Sequence, residues 1–87
     1  MIYYFYIIRC SDDSLYCGST NDLNERERKH NEGLGARYTR ARRPLKVVYF
    51  EKYSSRSEAM KREAQIKSWT KNKKEDLVKQ GFSIKKD

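Results

Sequence analysis

Apolar residues in this chain come in short blocks, each closed by turn or capping residues. The first block, Tyr3 to Cys10 (YYFYIIRC), is aromatic and β-branched, a composition that favours a strand. Both of its alternating sets, Tyr4/Tyr6/Ile8 and Tyr3/Phe5/Ile7, are apolar. A strand apolar on both faces is central and covered twice. Ser11-Asp12-Asp13-Ser14 is a turn cluster, so Leu15 to Gly18 reads as the second arm of a hairpin. Tyr6 and Tyr16 share a sheet face only if residues of like parity pair, for example Tyr16 opposite Cys10. A three-residue turn achieves this and a two-residue turn does not.

Asp22-Leu23-Asn24-Glu25 has the spacing of a capping box, and Gly33 is placed to end the helix it opens. Asn31 to Pro44 reads as an arginine-rich loop, and Leu45 to Lys52 (LKVVYFEK) as a third strand. Ser55-Arg56-Ser57-Glu58 opens a second helix to about Trp69, and Asn72-Lys73-Lys74-Glu75 a short last helix closed by Gly81. The pattern predicts an α+β fold: a three-stranded mixed or antiparallel sheet with the first strand central, flanked by three helices in the order β-β-α-β-α-α. At 87 residues it is one domain, residues 1–80, with 81–87 as a flexible C-terminal tail.

Two helices carry the wrong residues on their inward faces. Leu23 is the one large apolar residue of the first, and Arg26, Glu27 and His30 follow it on the same face. Either a site is built there, or the helix is short and weakly packed with its charges solvated. In the second helix Ala59, Met60 and Ile66 define an apolar stripe, and Glu63 lies inside it. A carboxylate there is costly unless paired or bound to metal. The alternative is a rim Glu63 that pairs with Lys67 one turn on.

Charge narrows the partners. Lys and Arg number 20 against 12 Asp and Glu, a formal +8, which favours polyanions. Arg37, Arg40, Arg42 and Arg43 surround Tyr38, a pairing suited to phosphates with an exposed base. Lys71, Lys73 and Lys74 add charge at the start of the last helix. No apolar run approaches the roughly 18 residues of a membrane span, so no membrane role is expected. The first strand lacks the features of an export signal, and a cytoplasmic location is expected, nucleoid-associated when bound. Two cysteines, Cys10 and Cys17, and one histidine are too few for structural zinc. Both thiols read as buried strand residues.

Tyr4-Phe5-Tyr6, then Tyr16-Cys17-Gly18, then Arg26, His30 and Glu63 resemble, in order and spacing, the GIY-YIG nuclease domain. That superfamily includes the N-terminal domain of the UvrC repair nuclease and the catalytic domains of some homing endonucleases. The likeness is greatest to small bacterial proteins that consist of this domain alone. Their Gly-Ala-x-Tyr-Thr-Arg and Arg-Pro elements appear here as Gly35-Ala36-Arg37-Tyr38-Thr39-Arg40 and Arg43-Pro44. The resemblance implies an active site on one sheet face. It assigns Tyr6 and Tyr16 to activating and positioning the attacking water, with the division between them open. It assigns Arg26 to the scissile phosphate, His30 to proton transfer, and Glu63 to one Mg²⁺ or Mn²⁺ ion. Gly18 is expected to let the chain leave its strand sharply. Tyr4 stands where the family glycine would be, and Cys17 where isoleucine would be. The implied activity is metal-dependent hydrolysis of DNA. The alternatives are a nucleic-acid-binding module or an adaptor for a repair or targeting protein, with weak or no cleavage.

Overall fold

Three strands, β1 (Tyr3–Arg9), β2 (Leu15–Thr20) and β3 (Lys46–Tyr53), form one sheet in the order β2-β1-β3. Both pairings are antiparallel. The computed structural model describes the backbone of residues 1–84 and the side chains of residues 1–81. The helices are α1 (Leu23–Asn31), α2 (Arg37–Arg40), α3 (Arg56–Lys67) and α4 (Lys71–Ile84). β1 is central, and Phe5, Tyr6, Ile7 and Ile8 are all buried, as the doubly apolar pattern requires. Its two faces feed two half-cores. Phe5 and Ile7 pack with Cys17, Tyr49 and Ile66, against Trp69, Leu77 and Val78. Tyr6 and Ile8 pack with Cys10 and Leu45, against Tyr16, Leu23, Val47 and Phe50. Both cysteines are buried free thiols.

The hairpin loop has three residues, Ser11–Asp13. The Cys10 N–H donates to Ser14 O at 2.9 Å and the Asp13 N–H to Cys10 O at 2.9 Å. Asp13 sits at φ 70°, the left-handed residue that closes such a loop. Like parity therefore holds, but Tyr16 lies opposite Ile8 rather than Cys10, because Ser14 is the partner of Cys10. On the other side of β1, Ile7 faces Tyr49 and Ile8 faces Val47, so Val48 is the extra residue of a bulge. The Val47 N–H donates to Glu27 Oε2 at 2.7 Å, which gives the inward-facing Glu27 a structural role.

The caps lie where the sequence places them. Asp22 accepts from the Glu25 N–H at 3.0 Å and Ser55 from the Glu58 N–H at 3.2 Å. Other expectations need correction. The Asn31–Pro44 segment contains the one-turn helix α2, so the helices number four among the described residues. Met60 is exposed, and of the expected stripe only Ala59 and Ile66 are buried. α4 is opened by Thr70, whose Oγ1 accepts from the Lys73 N–H at 3.3 Å. It runs through Gly81 to Ile84. Gly81 does not end it: a Cβ there would lie 2.1 Å from the Tyr49 ring, so glycine allows α4 to approach β3. The first residues of the expected tail are thus helical, and 85–87 lie outside the described residues. Arg9 clamps α4 to the sheet with two bonds to Glu75, at 2.8 and 2.7 Å.

Candidate active site

α1 places Leu23, Arg26, Glu27 and His30 toward the sheet, with Leu23 against Tyr6, Ile8 and Leu45. His30 is buried at 2 % exposure and Tyr6 likewise at 2 %. The Tyr6 ring lies flat across β2 because Gly18 has no side chain; a Cβ there would be 2.4 Å from Tyr6 Oη. Gly18 pairs with Tyr6 inside β2, so its role is close approach rather than the expected exit from the strand. Tyr6 Oη reaches His30 Nε2 at 3.2 Å, and His30 Nδ1 lies 2.9 Å from Thr39 Oγ1. Gly35 makes the corresponding room on the other side of the ring: a Cβ there would be 2.0 Å from His30 Nδ1.

Tyr16, on the same face, packs edge-on to His30 with centroids 5.8 Å apart. Its other neighbour is Tyr38, stacked at 6.0 Å and 20°, and the Arg42 guanidinium covers the Tyr38 ring at 3.8 Å. Tyr16 remains half-buried, the more accessible of the two phenols. Burial pushes the Tyr6 phenol far above its usual range; Arg26 opposes this, while Tyr16 and Glu63 add to it. Burial, then the charge of Arg26, holds His30 below its usual range, so the imidazole is neutral at pH 7.

Arg26 is half-buried, and its guanidinium has no hydrogen-bond or carboxylate partner among the described residues. It lines a cavity of ≈ 280 Å³ at the end of β2, between α1 and α3, together with Ser19, Thr20 and Arg56. Ser19 links this cavity to Glu63, its hydroxyl donating to Oε1 at 2.8 Å. Glu63 Oε2 lies 2.8 Å from Lys67 Nζ, so the pairing with Lys67 exists alongside the contact with the sheet.

The constellation does not share one sheet face, as was expected. Tyr6, Tyr16 and His30 lie on the α1 face. Glu63 comes from α3 on the other, where Ser19 pairs with Phe5. Arg26 and Glu63 both act electrostatically on the Tyr6 phenol from opposite layers, because β2 is an edge strand and side chains from both layers can reach past it.

Residues 2–76 match the profile of the GIY-YIG catalytic domain. The chain belongs to the GIY-YIG family. A UPF0213 protein of Haloquadratum walsbyi is 50% identical over 82 residues, covering 94% of this chain and 92% of its own. A UPF0213 protein of Staphylococcus aureus is 51% identical over 78 residues, covering 90% and 95%. Among solved structures, the UPF0213 protein of Bacillus halodurans (TM-score 0.58, 43% identity) covers 91% of this chain and 84% of its own. A protein of E. faecalis (TM-score 0.62, 40% identity) covers 92% and 85%.

Within this GIY-YIG domain the donors that could hold a metal are oxygens: one carboxylate, Glu63, and the Ser19 hydroxyl beside it. Among the described residues no three His, Cys, Asp or Glu side chains cluster as a cage. One carboxylate fits a hard, largely hydrated cation that completes its shell with water and substrate oxygens; it does not fit an all-protein site.

The arginine-rich segment divides. Arg37 and Arg40 are exposed, with no side-chain partner among the described residues. Arg42 is committed to Asp12 at 3.0 Å and to Tyr38 O at 2.9 Å. Arg43 is committed to the carbonyls of Arg40 and Asn31, at 3.0 and 3.4 Å. Tyr38 has Tyr16 on one side and Arg42 on the other. Lys71 lies 3.6 Å from Asp13, and Lys73 lies 5.5 Å from the Trp69 ring centroid. No helix among the described residues is long and apolar enough to cross a membrane. Sequence reasoning assigned no part to Thr39, Ser19, Gly35 or Arg56. Gly35 and Thr39 stood inside a motif already singled out, where a glycine four residues before a threonine was the available signal.

The state of His30 has a measurable consequence for stability. Its folded pKa is depressed below the unfolded value of 6.5, so the unfolded chain takes up the proton first as pH falls. The contribution of the neutral buried ring is complete above about pH 6.5 and is lost as pH drops through the folded pKa. Urea midpoints measured from pH 7.5 down to 5 are expected to fall more steeply for the wild type than for His30→Gln. Parallel slopes would show that His30 is not held neutral. The depressed carboxylates of Glu51 and Glu75 titrate below about 4.5, outside that window.

Proposed function

We propose that this GIY-YIG domain is a metal-dependent endonuclease that hydrolyses DNA phosphodiester bonds. The observation that carries the reading is Arg26, a half-buried guanidinium without an anionic partner among the described residues, which lines a polar cavity with Ser19, whose hydroxyl bonds Glu63, and acts electrostatically on the Tyr6 phenol. A half-buried guanidinium that faces a polar cavity is free to take an anion, and a phosphate matches the planar fork of arginine. In this reading Arg26 binds the scissile phosphate and the oxygens of Tyr16 and Tyr6 orient the attacking water. His30 stands behind Tyr6 to receive a proton, and Glu63 holds one Mg²⁺ or Mn²⁺ ion. The ion, when bound, supplies positive charge to the phosphoryl oxygens. Arg56 faces the same cavity and serves a neighbouring phosphate. Arg37 and Arg40 extend the charged surface over the flanking backbone.

One observation favours a second reading, a nucleic-acid-binding module or repair adaptor. Lys67 already compensates the Glu63 carboxylate at 2.8 Å, and a cation would have to share or displace it. The test is incubation with supercoiled plasmid, single-stranded and branched DNA, with Mg²⁺ or EDTA, against a Glu63→Ala control purified in the same way. Nicking that needs Mg²⁺ and Glu63 is expected. Salt-sensitive binding that is indifferent to Glu63, with no cleavage of any substrate, would establish the module instead.

A further inference from the structure

We infer that Thr39 is a positioning residue: it fixes His30 as the Nδ1–H tautomer and so turns the Tyr6 hydroxyl proton inward, leaving Tyr6 Oη to meet the site with lone pairs alone. The catalytic consequence rests on the nuclease reading above; the tautomer does not.

Donors and acceptors along this chain of hydrogen bonds match in one direction only. Thr39 is fully buried at 0 % exposure. Its hydroxyl has one proton, and Ala36 O, which can only accept, lies 2.9 Å from Oγ1. With that proton directed at Ala36, Oγ1 offers His30 Nδ1 a lone pair at 2.9 Å, and Nδ1 must carry the hydrogen. Nε2 of the neutral ring is then an acceptor, and Tyr6 Oη at 3.2 Å must be the donor. The chain runs in one direction: Tyr6 O–H to His30 Nε2, His30 Nδ1–H to Thr39 Oγ1, Thr39 O–H to Ala36 O.

Reversing it loses a bond. With Nε2 protonated, His30 would donate to Tyr6 and Thr39 would donate to Nδ1, and the Thr39–Ala36 bond would have no proton. The forward arrangement makes three hydrogen bonds and the reverse makes two, in a place with little access to water. The Gly35 backbone lies close beside Nδ1, which leaves Thr39 as the partner on that side.

Local structure explains how Thr39 arrives there. α2 is a single turn with Ala36 at its N-cap. It turns Thr39 inward, places Tyr38 against Tyr16, and leaves Arg37 and Arg40 exposed. The consequence is the polarity of one hydroxyl. A Tyr6 oxygen that has given its hydrogen to His30 can accept a proton from water while its own passes to Nε2. A Tyr6 that accepts from His30 would instead present a donor to the site and repel that arrangement.

His30 is the only histidine of the chain, so its ring nitrogens can be read without ambiguity in long-range ¹H–¹⁵N spectra near pH 8. The wild type and Thr39→Ser are expected to show a protonated Nδ1 and a bare Nε2. Thr39→Val, which can neither donate nor accept, is expected to shift the population toward Nε2–H. In the cleavage assay Thr39→Val is expected to lower kcat on the order of 10-fold with KM within about twofold, and serine to restore it. A wild-type spectrum with Nε2–H, or a folded Thr39→Val with an unchanged tautomer, overturns the inference. If Thr39→Val does not fold, the wild-type and serine spectra still decide. The expected tautomer in a chain that cleaves nothing would retire the nuclease reading and leave this one standing.

Discussion

Glu63→Ala is expected to leave no metal-dependent cleavage, and Arg26→Ala to lower the rate by about 10²-fold or more. Among the described residues Glu63 is the carboxylate that bonds Ser19, which lines the cavity, and no other carboxylate takes that bond in its place. Arg26 is the guanidinium that both lines the cavity and acts on the Tyr6 phenol, whereas Arg56 reaches the cavity from α3. Neither substitution removes core packing: Glu63 and Arg26 are half-buried, and the Glu63–Lys67 pair is a partly exposed contact of small worth. Melting temperatures are therefore expected within about 5 °C of the wild type. Cleavage that survives Glu63→Ala in a folded chain would remove the carboxylate from the chemistry. A large loss of melting temperature in Arg26→Ala would make that residue structural.

Gly18→Ala is expected to destabilise the fold by about 1–3 kcal/mol and to abolish the contact between Tyr6 and His30. The added methyl would stand 2.4 Å from Tyr6 Oη and 2.5 Å from Cζ. The clash is with a ring held between β2 and α1, not with a free side-chain end, so the ring or the strand must shift. For a domain of this size the melting temperature should fall by about 4–8 °C for each kcal/mol lost. Thermal denaturation measures that fall, and the His30 ring spectrum reports the lost hydrogen bond. An unchanged melting temperature would mean that the Tyr6 ring is free to move aside, and its placement would no longer define the site.

Much of the scaffold was readable without coordinates. The doubly apolar β1 could only be central, since either face left in water would expose aromatic rings. Asp22 and Ser55 capped their helices as their spacing to Glu25 and Glu58 indicated. The inward-facing Arg26, His30 and Glu63 were visible as residues that an ordinary amphipathic helix would not carry there. Less readable were features set by a neighbour distant in sequence. Gly81 looks like a helix stop until Tyr49 is known to lie against it. Met60 looks apolar and inward, but the turn of α3 that buries Ala59 and Ile66 faces it outward. Arg42 and Arg43 look like phosphate ligands, yet Asp12 and the carbonyls of Arg40 and Asn31 already occupy them.

The amino-acid sequence alone determined the order of the strands and of the three longer helices, the central place of β1 and the residue types that mark the family, and it made the shared face of Tyr6 and Tyr16 conditional on a three-residue turn. These depend on local periodicity, capping and turn length, which act over a few residues. Only the tertiary structure decided that Glu63 approaches from the opposite layer, that β2 as an edge strand lets the two layers meet, and that Thr39 closes the chain of hydrogen bonds behind Tyr6. Those depend on which distant surfaces pack together, a choice made by the core as a whole and written in no single stretch of residues.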